Sequence, residues 1–109
     1  MPRYLVQASY TSAAIAAFVS NPQDRAAGLR TVIEKLGGKQ ESLEFSLGDH
    51  DIIAVASLPD DTTAAAVALV INAPGHLKSY KTTRLLSSQE FLAAQQKAHG
   101  VSYQAPAKV

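Results

Sequence analysis

The sequence contains no cysteine among its 109 residues. This excludes disulfides, iron–sulfur clusters, thiolate-ligated zinc and a cysteine nucleophile. Long hydrophobic runs are also missing. The longest, around residues 64–71, is far shorter than the roughly 20 residues that a membrane-spanning helix needs. The first ten residues lack a charged segment followed by an apolar run, so we expect no signal peptide and a cytoplasmic protein.

Charge of one sign is not concentrated in any part of the chain. The net charge is +1 and the basic residues are scattered, whereas a nucleic-acid-binding surface needs clustered positive charge facing phosphates. The glycine-rich loops of nucleotide-binding proteins and the Gly-x-Ser-x-Gly elbow of hydrolases are missing too. We therefore expect no nucleic-acid partner, no membrane partner and no cofactor.

The pattern of apolar residues predicts alternating strands and helices. Residues 3–10 alternate, with Tyr4 and Val6 on one side and Leu5 and Gln7 on the other, which is typical of a strand. The other predicted strands cover residues 39–47, 51–58 and 76–86. Helical spacing and capping residues predict helices over residues 12–19, 22–36, 61–72 and 88–99.

This order of elements predicts an α+β fold of the ferredoxin-like βαββαβ type with an added C-terminal helix. Two right-handed crossovers bring the strands into one four-stranded antiparallel sheet with helices on one face. We expect a single domain over residues 1–100, followed by a tail over residues 101–109.

The uncovered face of the predicted sheet indicates an oligomer. Residues 51–58 are apolar on both faces, with Ser57 as the only interior polar residue, and exposed apolar patches usually mark interfaces. We expect a homodimer in which two sheets pack face to face, burying roughly 800 Å² per subunit. Leu69 points away from the predicted core. It is either a lone exposed leucine or a contact that joins dimers into a larger ring.

Several segments of the sequence carry a family resemblance. They are residues 4–11, "KLGGK" at 35–39, "LGDHDIIAVASLPDD" at 47–61, the alanine-rich helix and "TTRLLSSQEF" at 82–91. Together they resemble the GYD-domain family of small bacterial proteins, to about residue 94. The Gly-x-Tyr-Asp corner that names the family is here Gly48-Asp49-His50-Asp51, so histidine replaces tyrosine.

The resemblance implies a dimeric α+β barrel. That group includes the small-molecule-sensing domains of feast/famine regulators, several isomerases and several monooxygenases. The fold does not choose among these functions.

The corner itself has two interpretations. Asp49, His50 and Asp51 could ligate a metal, but adjacent strand residues point to opposite faces, and no second histidine stands close in sequence. We therefore expect no metal, and a structural turn in which Gly48 and Asp51 fix the start of the next strand. His50 titrates near physiological pH and is a hypothetical pocket residue at the end of the sheet.

Six residues are candidates for ligand binding in a pocket between two subunits, over the open face of the sheet. They are His50, Tyr4, Gln7, Ser9, Glu44 and Arg84. If Glu44 and Arg84 share that face, they either pair with each other or orient an acidic or hydroxylated small molecule between two sheets. The hydroxyls of Tyr10 and Tyr80 could join such a pocket, or these rings could pack in the core.

Three functional hypotheses remain open from the sequence. The first, which we favour, is a homo-oligomer that binds a small molecule between the two sheets of a dimer. The second is a cofactor-free isomerase or monooxygenase-like enzyme with His50 as the acid or base. The third is a structural or interaction protein whose dry interface has no room for a ligand.

Overall fold

The computed structural model describes residues 1–107, which form four strands and four helices. The strands are β1 (Arg3–Tyr10), β2 (Lys39–Phe45), β3 (Ile52–Ser57) and β4 (Leu77–Leu85). The helices are α1 (Ser12–Ser20), α2 (Ala26–Lys35), α3 (Asp61–Asn72) and α4 (Ser88–Ala98). The strands make one antiparallel sheet in the order β2-β3-β1-β4. The predicted α+β, ferredoxin-like fold is therefore confirmed.

Strand β1 is central in the sheet, and its alternation separates the two faces. Val6 pairs with Ala54 of β3 and with Thr82 of β4. The side chains of Tyr4, Val6, Ala8 and Tyr10 are buried. They pack with Leu29, Ile33, Ala54, Ala64, Val67 and other apolar residues of α2, α3 and β3. The core thus lies between the sheet and these helices, and the opposite face of the sheet is open.

Helix α2 begins four residues later than predicted. Pro22 was expected in its first turn, but the helix starts at Ala26. The carboxylate of Asp24 accepts a hydrogen bond from the N–H of Ala26 at 3.0 Å. A side chain that captures the N–H two residues ahead gives the backbone an alternative to the helix. Residues 22–25 therefore lie outside the helix. Arg25, with φ of −82° and ψ of −15°, takes the N-cap position without a side-chain cap.

Two glycines end α2 for different reasons. Gly37 has φ of +84°, a left-handed conformation that glycine adopts at little cost. Gly38 is needed for a close approach to β3. A Cβ there would lie 2.5 Å from Cδ2 of Leu58 and 2.6 Å from the carbonyl oxygen of Ser57.

Strand β2 departs from the predicted alternation. Its pairing with β3 shifts register between Gln40 and Ser42, as at a β-bulge. Regular alternation would put Glu41 on the same side as Leu43, whereas the bulge turns it to the face of Arg3 and Ser57. The Glu41 carboxylate instead accepts hydrogen bonds from Arg3 Nε and Ser57 Oγ, both at 2.8 Å. The strand ends at Phe45, and Leu47 is fully exposed.

The C-terminal helix α4 begins with a capping box. Ser87 Oγ accepts from the N–H of Glu90, and the Glu90 carboxylate accepts from the N–H of Ser87. None of the eleven described residues of α4 is buried, and Phe91 is 59 % exposed. The radius of gyration is 17.9 Å, well above the roughly 13 Å of a compact domain of this size. Helix α4 therefore extends from the body of the fold.

Residues 101–107 form neither helix nor strand. The last two residues of the predicted tail, 108 and 109, lie outside the described residues. Within the described part of the chain, every helix is too short or too polar to span a membrane.

Candidate functional site

Asp51, at the corner between β2 and β3, is tied to the sheet by three hydrogen bonds. Its carboxylate accepts from the N–H of Tyr10 at 2.9 Å. Its own N–H donates to the carbonyl of Ala8, and its carbonyl accepts from the N–H of Ser46, both at 2.9 Å. These contacts support a structural role for Asp51, which stays a prediction. The φ of Gly48 is not positive. The backbone conformation of this turn therefore does not require glycine.

His50 is half-buried at this corner. Ser9 is buried beside it, and its hydroxyl donates to the carbonyl of Asp49 at 3.4 Å. Within residues 1–107, no group of three or more acidic or histidine side chains is arranged to hold a metal ion.

The predicted ligand residues do not share one face of the sheet. Gln7 is opposite Ile53, and Ile53 is opposite Glu44, so these two candidates lie on the open face. Arg84 pairs with Tyr4 in register, and Tyr4 faces the helices. The proposed Glu44–Arg84 pair is therefore wrong, because the two residues lie on opposite faces. A ligand-binding role for Gln7, Ser9 and Glu44 stays a prediction.

Tyr4 and Arg84 instead meet in a pocket between α3 and β4. The pocket has a volume of about 280 Å³ and also contains Asp61 and Thr82. The Tyr4 hydroxyl donates to Asp61 Oδ1 at 2.5 Å, and the Arg84 guanidinium lies 5.9 Å from the centre of the Tyr4 ring. Arg84 also forms an ion pair with Glu90 of α4 at 2.9 Å. Tyr4 and Asp61 bond each other, as do Arg84 and Glu90. A ligand in this pocket would have to compete with these contacts.

A second cavity lies on the helix side of the sheet, between all four strands and helices α2 and α3. Its volume is about 210 Å³. Its apolar walls are formed by Val6, Ala8, Leu29, Val32, Leu43, Ile52, Val70, Ile71 and Leu77. Tyr10, Arg25, His76 and Tyr80 add polar groups. We call this space the sheet–helix cavity.

The tyrosine hydroxyls of the sheet–helix cavity differ in their polar neighbours. The hydroxyl of Tyr80 is buried and has no hydrogen-bond partner among the described residues. Burial raises the pKa of Tyr80, and the nearby side chain of Thr82 opposes that shift. Burial also raises the pKa of Tyr10, and nearby Arg25 opposes that shift. Both hydroxyls therefore stay protonated at neutral pH and can donate hydrogen bonds.

Aromatic contacts hold the Tyr10 end of the cavity in place. The ring of Tyr10 meets Phe18 edge to face, with centroids 4.8 Å apart. The ring of His76 lies 6.1 Å away on a tilted plane. These contacts position Tyr10 without engaging its hydroxyl.

Comparison with known protein families matches the GYD domain over residues 4–94. The chain belongs to the GYD domain family. A comparison with curated proteins gives no match.

Among solved structures, this GYD protein is similar to the crystal structure of MtbAldR (Rv2779c). The TM-score is 0.57 at 11 % sequence identity. The match covers 80 % of this chain and 52 % of the other, so the GYD protein corresponds to about half the length of MtbAldR. At this identity the likeness supports the shared fold alone.

Sequence reasoning missed the sheet–helix cavity of the GYD protein. Tyr10 and Tyr80 were considered, but Arg25 and His76 were not considered as ligand contacts. Arg25 was hidden because residues 22–25 were expected to be helical, which would have made it one more charge on a helix surface. The useful signal was Gly28, since a Cβ there would lie 3.4 Å from Nη2 of Arg25, and a small residue beside a long cation permits that close contact.

Proposed function

We propose that this GYD protein binds a small, largely apolar molecule in the sheet–helix cavity. The observation that carries the proposal is an apolar cavity of about 210 Å³. One of its lining residues is Tyr80, whose buried hydroxyl has no hydrogen-bond partner among the described residues. Ligand sites are typically concave and apolar with a few polar groups that fix orientation. An apolar cavity of roughly 150 Å³ holds benzene, so one substituted six-membered ring matches the available space.

The proposed ligand site differs from the one expected from the sequence. The sequence predicted a pocket between the sheets of two subunits, on the open face. The sheet–helix cavity is formed within one subunit, so occupancy does not require a second copy. His50, the residue of the enzyme hypothesis, is not among the residues that line this cavity. The observations therefore favour binding over catalysis by His50.

A homodimer through the open face is part of the same proposal. Leu5 and Val55 are half-buried on that face, and Ile53 is 36 % exposed. These side chains are neighbours across β1 and β3, because Leu5 pairs with Val55 and Gln7 with Ile53. A second sheet would remove this apolar patch from water. The Arg3–Glu41 ion pair would lie at the edge of the interface.

A titration with benzyl alcohol, a neutral single-ring probe, tests the binding proposal. We expect the melting temperature to rise with probe concentration, since ligand binding to the folded state stabilises it by about 2.7 kcal/mol at 100 times Kd. We also expect amide NMR shifts concentrated at Leu29, Ile52 and Tyr80.

Two variants that fill the cavity provide the specific control. Val32→Phe and Val70→Phe each add a ring at a residue that lines the cavity, and both should abolish the probe response. Val19→Phe adds the same volume at an exposed position on α1 and should leave the response intact. Absence of any response in the wild type, or an undiminished response in both filled variants, contradicts the proposal.

A further inference from the structure

Arg25 is the one lysine or arginine among the residues that line the sheet–helix cavity. Arg25 is half-buried, whereas the Tyr80 hydroxyl is fully buried. The two groups therefore differ in depth, with the charge nearer to solvent and the neutral hydroxyl further inside. The walls between them are apolar.

Arg25 is held over the cavity without a carboxylate partner. Its guanidinium packs against Gly28, and its Nη1 donates to the Gln23 side chain at 3.2 Å. Within residues 1–107, the ion pairs are Arg3–Glu41 and Arg84–Glu90, so no carboxylate lies within 4.0 Å of Arg25.

Two acidic residues of this region, Asp24 and Asp51, already accept hydrogen bonds from backbone N–H groups. The guanidinium of Arg25 has five N–H donors in a planar fork that matches a carboxylate. One donor bonds Gln23, and the guanidinium also interacts with the Tyr10 hydroxyl. The remaining donors are available to a ligand.

Building on the proposed function, we propose that the ligand is a small cyclic carboxylic acid that carries a hydroxyl or carbonyl oxygen on the far side of its ring. Arg25 binds the carboxylate at the end nearer to solvent, and the Tyr80 hydroxyl donates a hydrogen bond to the distal oxygen. The ring lies against the apolar walls. This class meets both demands of the cavity, because a neutral hydrocarbon would leave the Tyr80 hydroxyl unsatisfied and a more polar acid would lose contact with the walls.

Four single-ring probes separate the two polar contacts. They are 4-hydroxybenzoate, its neutral analogue 4-hydroxybenzamide, benzoate and benzyl alcohol. Binding is measured by NMR titration of the full chain at low salt. We expect 4-hydroxybenzoate to bind about tenfold more tightly than the amide, the ratio typical of a hydrogen bond to a charged group. We expect benzoate to bind severalfold more weakly than 4-hydroxybenzoate.

Single substitutions test which side chain causes each difference in affinity between the probes. Arg25→Gln should remove the preference for the acid over the amide while binding of the amide persists. Arg30→Gln, an exposed position of the same helix that does not line the cavity, is the matched control and should keep the preference. Tyr80→Phe should make 4-hydroxybenzoate and benzoate bind with equal affinity. Tyr103→Phe, at an exposed tyrosine, should keep the difference in affinity.

The outcomes distinguish this inference from the proposed function. If the amide or benzyl alcohol binds as tightly as 4-hydroxybenzoate, or if Arg25→Gln keeps the preference, the acid class is wrong and the cavity remains a site for neutral ligands. If none of the four probes shifts the resonances of cavity residues, both proposals fail.

Discussion

The carboxylate of Asp51 accepts a hydrogen bond from the backbone N–H of Tyr10 at 2.9 Å. Tyr10 is the last residue of β1, and Asp51 directly precedes β3. Since the backbone of Asp51 also bonds Ala8 and Ser46, one residue joins the end of the central strand to the β2–β3 corner. These contacts support a direct role in the fold for the aspartate of the GYD corner.

Replacing Asp51 should destabilise the protein. Asp51→Ala leaves the N–H of Tyr10, a buried residue, without its acceptor, and we expect a loss of about 1–3 kcal/mol in the free energy of unfolding. Asp51→Asn retains an acceptor oxygen and should lose less. Urea denaturation measures both. Asp49→Ala, at an exposed neighbour, is the control, and an equal loss at both positions would argue against a specific role for Asp51.

Removal of the hydroxyl from Tyr4 and from Tyr80 should have opposite effects. Tyr4 donates to Asp61, so Tyr4→Phe should lower the melting temperature by roughly 5 °C. The Tyr80 hydroxyl is buried without a partner among the described residues, so Tyr80→Phe should leave the melting temperature unchanged or raise it. Thermal unfolding followed by circular dichroism compares the two. A larger loss for Tyr80→Phe would show that its hydroxyl is satisfied in solution.

Alkaline pH should destabilise the fold through its tyrosines. The hydrogen bond to Asp61 raises the pKa of Tyr4, and burial raises the pKa of Tyr10 and of Tyr80. Tyrosines of the unfolded chain ionise near pH 10. The unfolded state therefore loses protons first, and the stability that is fully present below about pH 10 falls as the pH rises through the folded-state values.

Urea denaturation between pH 8 and pH 11 measures this dependence, with tyrosinate absorbance as a second signal. Tyr80→Phe removes one of the three groups, so its stability should decline less steeply than that of the wild type. A wild-type free energy of unfolding that stays constant to pH 11 would contradict the expectation.

Gly38 should not tolerate a side chain. The added Cβ of Gly38→Ala would collide with Leu58 and with the backbone oxygen of Ser57, and overpacking of this kind costs about 1–3 kcal/mol. Gly48→Ala is the matched control, because its Cβ would meet only Ser46 Oγ at 3.4 Å. Denaturation midpoints of the two variants decide the point, and equal stability would mean that the α2–β2 turn moves freely to make room.

A charge on the open face should disrupt the proposed dimer. Val55→Glu places a carboxylate between Leu5 of β1 and Ser42 of β2, its partners in register, where a second sheet would have to desolvate it. We expect sedimentation velocity at micromolar concentration to show a dimer for the wild type and a monomer for this variant. Val19→Glu, at an exposed position of α1, should stay dimeric. A monomeric wild type would remove the dimer from the proposal.

The fold was predictable because its strands carry a clear period of two. The alternation of Tyr4, Val6 and Ala8 with Leu5 and Gln7 identifies the buried face of β1 without any tertiary information. Side-chain hydrogen bonds were harder to foresee. The Asp24 bond to Ala26 delays α2, and the bulge near Glu41 reverses the facing of part of β2.

The candidate site was less predictable, because it is a cavity between secondary-structure elements and not a sequence motif. The face of Arg84 follows from its register with Tyr4, which no local pattern in β4 specifies. The sheet–helix cavity is enclosed by residues from six elements and the segments between them. Residues such as Val32, Ile71 and Leu77 line it from separate elements, and a space between elements leaves no periodic trace in a sequence.

Helix α4 makes little contact with the rest of the described chain. Helices of its length are marginal in water when isolated, and this one is supported by its capping box and by the ion pair between Glu90 and Arg84. Its amide hydrogens should therefore exchange faster than those of β1 unless another surface covers Phe91 and Leu92. Hydrogen exchange in α4 thus shows whether this helix is covered by another molecule, whereas exchange in β1 measures the stability of the sheet.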